Sequence, residues 1–117
     1  MDKYRIRRGN ISNVAEKKTL EIFKALLLKR VPLYKMILFG SRARGDAMPY
    51  SDMDIVVILN KAPDKYDLDY ISDCAWESGF ENGIVVVPVV FSREEWEDSP
   101  ERYSLLAQAV EAEGVLI

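Results

Sequence analysis

Three short apolar runs, separated by stretches with helical periodicity, predict a small α/β or α+β domain. It has about three core strands, with helices packed on the sheet. The runs are KMILF at 35–39, DMDIVVIL at 52–59 and IVVVPVVF at 84–91. The last two are rich in β-branched residues, as buried strands are. The 117 residues suit one domain, 1–117, and 49% hydrophobic with 30% charged residues is a globular composition.

Taken in order, residues 1–10 are polar and basic, and read as a loose arm or a short edge element. Ser12 or Asn13 caps a helix to about residue 30, with Val14, Leu20, Phe23, Leu27 and Val31 as its apolar stripe, broadened by Leu26 and Leu28. Pro32 ends it. The first strand, 35–39, runs straight into Gly40, and 41–47 is a tight loop or one helical turn. The second strand, 52–59, is followed by a loop at 60–64 and a helix at 66–79, whose core face carries Leu68, Ile71, Ala75 and Trp76. The third strand, 84–91, contains Pro88, which lacks a ladder donor and so points to a sheet edge or a bulge. Ser92 and Glu95 form a capping box for a short helix at 93–97. A last helix starts at Pro100 and stops at Gly114, leaving 115–117 as a tail or edge strand.

Composition excludes several chemistries. The chain has no histidine, so it has no imidazole base, no His-ligated zinc and no Ser-His-Asp relay. Its one cysteine, Cys74, excludes an internal disulfide or a cysteine cluster and reads as a small buried helix residue. The longest apolar run is eight residues, far below the ~18 of a membrane span, and no signal-type stretch follows the basic start. The expected location is the cytoplasm. The net charge of −3 conceals +9 over residues 1–44 and −12 over residues 45–117. Such polarity suits an anion-facing surface or solvated helix faces of opposite sign.

The chemistry concentrates in FGSRARGDAMPYSDMDIVVIL, residues 39–59. A Gly40-Ser41 turn at a strand end presents backbone amides and a hydroxyl to an anion. Arg42 and Arg44 bring cationic forks, although the spacing aims Arg42 at solvent. Asp52 and Asp54, two residues apart at a strand mouth, share a face. Two carboxylates so close repel, unless a divalent cation lies between them. A phosphate grip on one strand end and a carboxylate pair on the next describe a magnesium–nucleotide site.

Gly40-Ser41, ten residues, then Asp52-Met53-Asp54 resembles the signature of the DNA polymerase β-like nucleotidyltransferase superfamily. The whole segment looks like its small bacterial and archaeal branch, the minimal nucleotidyltransferases. The resemblance implies a small mixed β-sheet of three or four strands flanked by helices. It implies Mg²⁺ held by Asp52 and Asp54, and triphosphate held by Gly40, Ser41 and Arg44. The reaction implied is attack of a hydroxyl on the α-phosphorus of a nucleoside triphosphate, expected to be ATP. It transfers AMP and releases pyrophosphate. Chemistry of that kind rests on positioning and charge neutralisation and needs no histidine.

Two departures shape the expectation. The superfamily commonly carries a third carboxylate on the third core strand, and residues 84–91 contain none. The nearest acids are Glu81, Glu94 and Glu95. Only about 25 residues follow the third strand, so the acceptor is expected on a second copy of the chain or on a separate helical partner. The resemblance suggests a small helical protein of the HEPN type, as in toxin–antitoxin pairs. The alternative is an antitoxin-like subunit that neutralises this partner by contact with little or no turnover. A third reading, a nucleic-acid scaffold using Lys3, Arg5, Arg7 and Arg8, is disfavoured. An apolar edge strand also invites a homodimer. Trp76 and Trp96 are expected in the core or an interface, and Tyr66 and Tyr70, one turn apart, in packing.

Overall fold

The computed structural model describes residues 7–8, 13–98 and 105–117. The elements are β1 (Arg7–Arg8), α1 (Val14–Leu28), β2 (Leu33–Phe39), α2 (Ser41–Arg44), β3 (Met53–Leu59), α3 (Lys65–Phe80), β4 (Val86–Ser92), α4 (Arg93–Asp98), α5 (Leu105–Glu113) and β5 (Val115–Leu116). They form one mixed sheet in the order β1-β5-β2-β3-β4. β2 and β3 are antiparallel, β3 and β4 parallel, and β5 runs antiparallel to β2 and parallel to β1. The three long strands are those expected. The fourth and fifth are two-residue pieces, and β5 is enclosed between β1 and β2 instead of lying at an edge.

Strand alternation divides the core in two. Met53, Ile55, Val57 and Leu59 face α1 and α3, where Leu20, Phe23, Leu27, Ile71, Cys74 and Ala75 meet them. Val56 and Ile58 face the other way, with Ile37, Trp96 of α4 and Val110 of α5. β3 is therefore covered on both sides, which is why its sequence is continuously apolar after Asp54.

The helices start where their caps place them. Asn13 accepts the Glu16 amide at 3.0 Å, so Asn13 caps α1, and Ser12 lies outside the described residues. A reciprocal Asp64–Asp67 capping box starts α3 at Lys65, just before the expected 66. The Ser92–Glu95 box is present at 3.0 and 3.1 Å. The expected start of the last helix at Pro100 lies outside the described residues. Its stop is in place, with the Gly114 amide donating to Val110 O.

Some expected core positions are corrected. Val14 is 80% exposed, because six residues before Leu20 is about 240° around the helix, well off the stripe. Leu28 lies one residue past Leu27 and is exposed, as is Leu68. Ile71, Cys74, Ala75 and Ser78 form the buried stripe of α3, and Trp76, one residue outside it, is 70% exposed and stacks on Phe80. Trp96 is buried. Tyr70 packs and donates to Leu26 O, whereas Tyr66 is exposed.

Pro88 falls on β4, an edge strand. Met53 N–H donates to Val85 O, so in this register the odd-numbered β4 residues turn their backbone groups to β3. Pro88 is even-numbered, so its missing donor is on the open edge. No helix among the described residues is long and apolar enough to cross a membrane.

Candidate active site at the mouth of strands β2 and β3

The site is made by the antiparallel register of β2 and β3, which sets Phe39 opposite Asp54. The residue after Phe39 must turn beside that carboxylate. Gly40 does so at φ 78°, ψ −158°, a region essentially reserved for glycine. A Cβ there would stand 2.6 Å from Asp54 Oδ2. The turn and the second aspartate of the pair are thus in contact through the absence of a side chain. Ser41 opens α2, whose Ala43 and Arg44 amides return to Gly40 O, and Gly45 closes it in the left-handed conformation.

Asp52 precedes β3 instead of starting it, and Asp54 is half-buried on the α5-facing side of the sheet. Burial raises the Asp54 carboxyl above its ordinary value, the Asp52 charge raises it further, and Arg44 opposes both. Two neighbouring carboxylates at an open strand mouth are a donor set that fits a hard divalent cation, which also keeps several waters. Among the described residues, no group of three or more His, Cys, Asp or Glu is placed to hold a metal, so Asp52 and Asp54 would act as a pair.

The arginines behave differently from each other. Arg44 is half-exposed and already occupied. Its Nη1 meets Glu113 at 3.0 and 3.1 Å and its Nε meets Asp46 at 3.2 Å. These bonds, that to Glu113 foremost, raise its pKa. Arg42, expected to face solvent, is turned inward. Its side chain is only 6% exposed and donates to Ser51 O, Pro49 O and Glu16. The antiparallel return of the 45–52 loop over α2 supplies those carbonyls, which no local spacing reveals.

β4 carries no acid. Val87 is in register with Asp54 on the adjacent strand, so its side chain stands beside the carboxylate. Glu94 and Glu95 follow Ser92, which pairs with Leu59 at the opposite end of the sheet. Five residues of strand separate that end from Asp54, about 16 Å, so neither acid reaches the pair. Glu81 is the exposed C-cap of α3. Cys74 is buried among core residues with its thiol pKa raised by burial, the opposite of an activated nucleophile.

Sequence reasoning missed Glu16, Ser51 and Glu113. Glu113 had one signal, since an acid in a helix's last turn opposes the macrodipole and calls for a cationic partner. Glu16 sat at a first-turn position where an acid needs no other reason.

A glycine turn packed on Asp54 across two antiparallel strands, with Asp52 two residues before it, is the arrangement expected of a nucleotidyltransferase on a polymerase-β-like fold. The comparisons agree. The family described as the nucleotidyltransferase domain matches residues 16–112, and the chain belongs to it. It is 38% identical over 80 residues to protein adenylyltransferase MJ0604 of Methanocaldococcus jannaschii, covering 68% of this chain and 75% of that one. It is 37% identical over 59 residues to protein adenylyltransferase MntA of Haemophilus influenzae, covering 50% of this chain and 52% of that one. Among solved structures, a chain of a toxin–antitoxin crystal structure with AMP-PNP superposes with a TM-score of 0.58 at 21% identity, covering 86% of this chain and 70% of that chain. A chain of the complex of tri-AMPylated Shewanella oneidensis HEPN toxin with MNT antitoxin superposes at 0.54 and 20% identity, covering 88% and 71%. These structures share the fold. The chain is a nucleotidyltransferase of that family, and its curated relatives carry the name adenylyltransferase.

Proposed function

We propose that the chain transfers AMP from ATP to a hydroxyl of a partner protein, with Mg²⁺ as cofactor and pyrophosphate as the leaving product. The observation that carries this reading is the close approach of the Gly40 turn to Asp54, which puts a strand-end turn and a carboxylate at one mouth of the sheet. Asp52 and Asp54 hold the cation, which supplies charge neutralisation at the reacting phosphate. Gly40 and Ser41 seat the outer phosphates through the backbone amides and the hydroxyl of the turn. Arg44 contacts the triphosphate after exchanging its Glu113 and Asp46 partners for phosphate oxygens, a fork-shaped recognition that suits both. The partner, a small helical protein of the HEPN type, brings the acceptor hydroxyl. Its support is the kinship with adenylyltransferases and the shared fold with the MNT antitoxin of an AMPylated toxin complex.

Thermal unfolding with each nucleoside triphosphate and Mg²⁺ tests the site. ATP with Mg²⁺ raises the wild-type midpoint, and Asp52→Asn/Asp54→Asn abolishes the rise. Labelled ATP with the partner tests the transfer. If the double variant transfers label as well as wild type, the reading is wrong. A second reading is an antitoxin-like subunit acting by contact, and the acid-free β4 strand beside Asp54 favours it. Under that reading the double variant still neutralises the partner fully in cells.

A further inference from the structure

We propose that Arg42 is a positioning residue of the cation site, holding the loop that delivers Asp52. The proposal rests on the reading of Asp52 and Asp54 as cation ligands. Arg42 Nε and Nη2 reach Ser51 O at 3.0 and 2.7 Å, Nη2 also reaches Pro49 O at 3.3 Å, and Nη1 meets Glu16 Oε1 at 3.3 Å. Its side chain is 6% exposed and that of Glu16 is 11% exposed. Ser51 is the residue before Asp52. Met53, the residue after it, is anchored to Val85 O at 2.8 Å. Asp52 is thus suspended between two fixed backbone points, one of them made by Arg42.

Arg42 also follows Ser41 directly. Its backbone belongs to the phosphate turn and its side chain to the carboxylate loop, so one residue sets the spacing of the two halves. Stability alone is a weak reason for this arrangement, because an ion pair this buried is costly to desolvate and an apolar side chain fills such a space as well. Three acceptors on two segments (Glu16 of α1, and Pro49 and Ser51 of the 45–52 loop) instead require the planar fork of a guanidinium. A lysine ammonium is a point donor and cannot hold them together.

The test is Mn²⁺ binding without nucleotide, read by electron paramagnetic resonance, together with amide hydrogen exchange across residues 48–52. Wild type, Arg42→Lys, Glu16→Gln and Asp52→Asn are compared. Arg42→Lys is expected to lower Mn²⁺ affinity about tenfold or more, the usual effect of losing a residue that orients a ligand. It also speeds exchange at residues 50–52, with α1 and β3 still protected. Glu16→Gln, which keeps an acceptor for Arg42, gives a smaller loss of the same kind. Wild-type Mn²⁺ affinity in a folded Arg42→Lys overturns the proposal. Should Arg42→Lys fail to fold, unchanged affinity and exchange in Glu16→Gln overturn it instead. If Asp52→Asn binds Mn²⁺ as wild type does, the cation reading itself fails, and the proposal fails with it.

Discussion

Gly40 is where backbone conformation and site chemistry meet in one residue. At φ 78° a side chain is strained whatever its size, and here it would also collide with Asp54 Oδ2. Gly40→Ala is expected to cost about 1–3 kcal/mol in urea unfolding and to abolish the thermal shift with ATP and Mg²⁺. Asp54 carries the opposite relation between stability and function. Burial first, and Asp52 second, raise its pKa in the folded chain. The stability linked to its protonated form is full below the unfolded carboxylate value and is lost as pH rises through the raised folded value. At neutral pH the ionised group is a cost. Asp54→Asn is therefore expected to melt a few degrees higher than wild type at pH 7 without metal. The gain fades as pH falls through the raised folded-state value of Asp54, and it is gone below the ordinary carboxylate value of about 4. Calorimetry at the two pH values checks this.

At the scale of elements, the two tryptophans separate a helix face that packs from one that does not. Trp96 of α4 is 5% exposed and tilts against Phe91 at 5.4 Å between centroids. Trp76 of α3 lies outside its helix's buried stripe. Trp96→Ala is expected to cost about 3–5 kcal/mol. Trp76→Ala stays within about 0.5 kcal/mol. Acrylamide quenching of Trp76→Phe and Trp96→Phe shows the same contrast, with the first leaving a protected fluorophore and the second an accessible one. Periodicity named the right residues for α1 and α3 at Leu20, Phe23, Leu27, Ile71 and Ala75. It failed at Val14 and Trp76, because one residue is about 100° of helix and the width of the covered stripe depends on the neighbour.

For the whole molecule, the two charge blocks do not occupy opposite ends among the described residues. The lysines of α1 and the acids of α3 belong to helices packed on each other over one face of the sheet, where Arg30 lies over the Tyr70 ring at 5.1 Å. The chain's last residues join its beginning to its centre. Val115 and Leu116 pair with Leu38 and Ile37 on one side and with Arg7 and Arg8 on the other. Val115 is 4% exposed within the α1–α3 core. Val115→Asp would bury a carboxylate among apolar neighbours and is expected to cost roughly 3 kcal/mol or more, measured by urea unfolding.

The sequence by itself determined the three long strands, the Ser92 cap, a first cap narrowed to Ser12 or Asn13, an edge or bulge at Pro88, and a Gly-Ser turn set beside the strand that carries Asp54. These are local signals: short-range periodicity, side-chain-to-backbone bonds three residues apart, and two motifs joined by one loop. Tertiary structure decided the rest. It turned Arg42 inward to Ser51 and Glu16, gave Arg44 to Glu113, and set Val87 beside Asp54. It placed Glu94 and Glu95 at the far end of the sheet and moved β5 from an edge to the interior. Each of these depends on strand register or on a contact between residues distant in the chain. Such contacts form only when the buried faces of separate elements are packed together, so no local pattern records them.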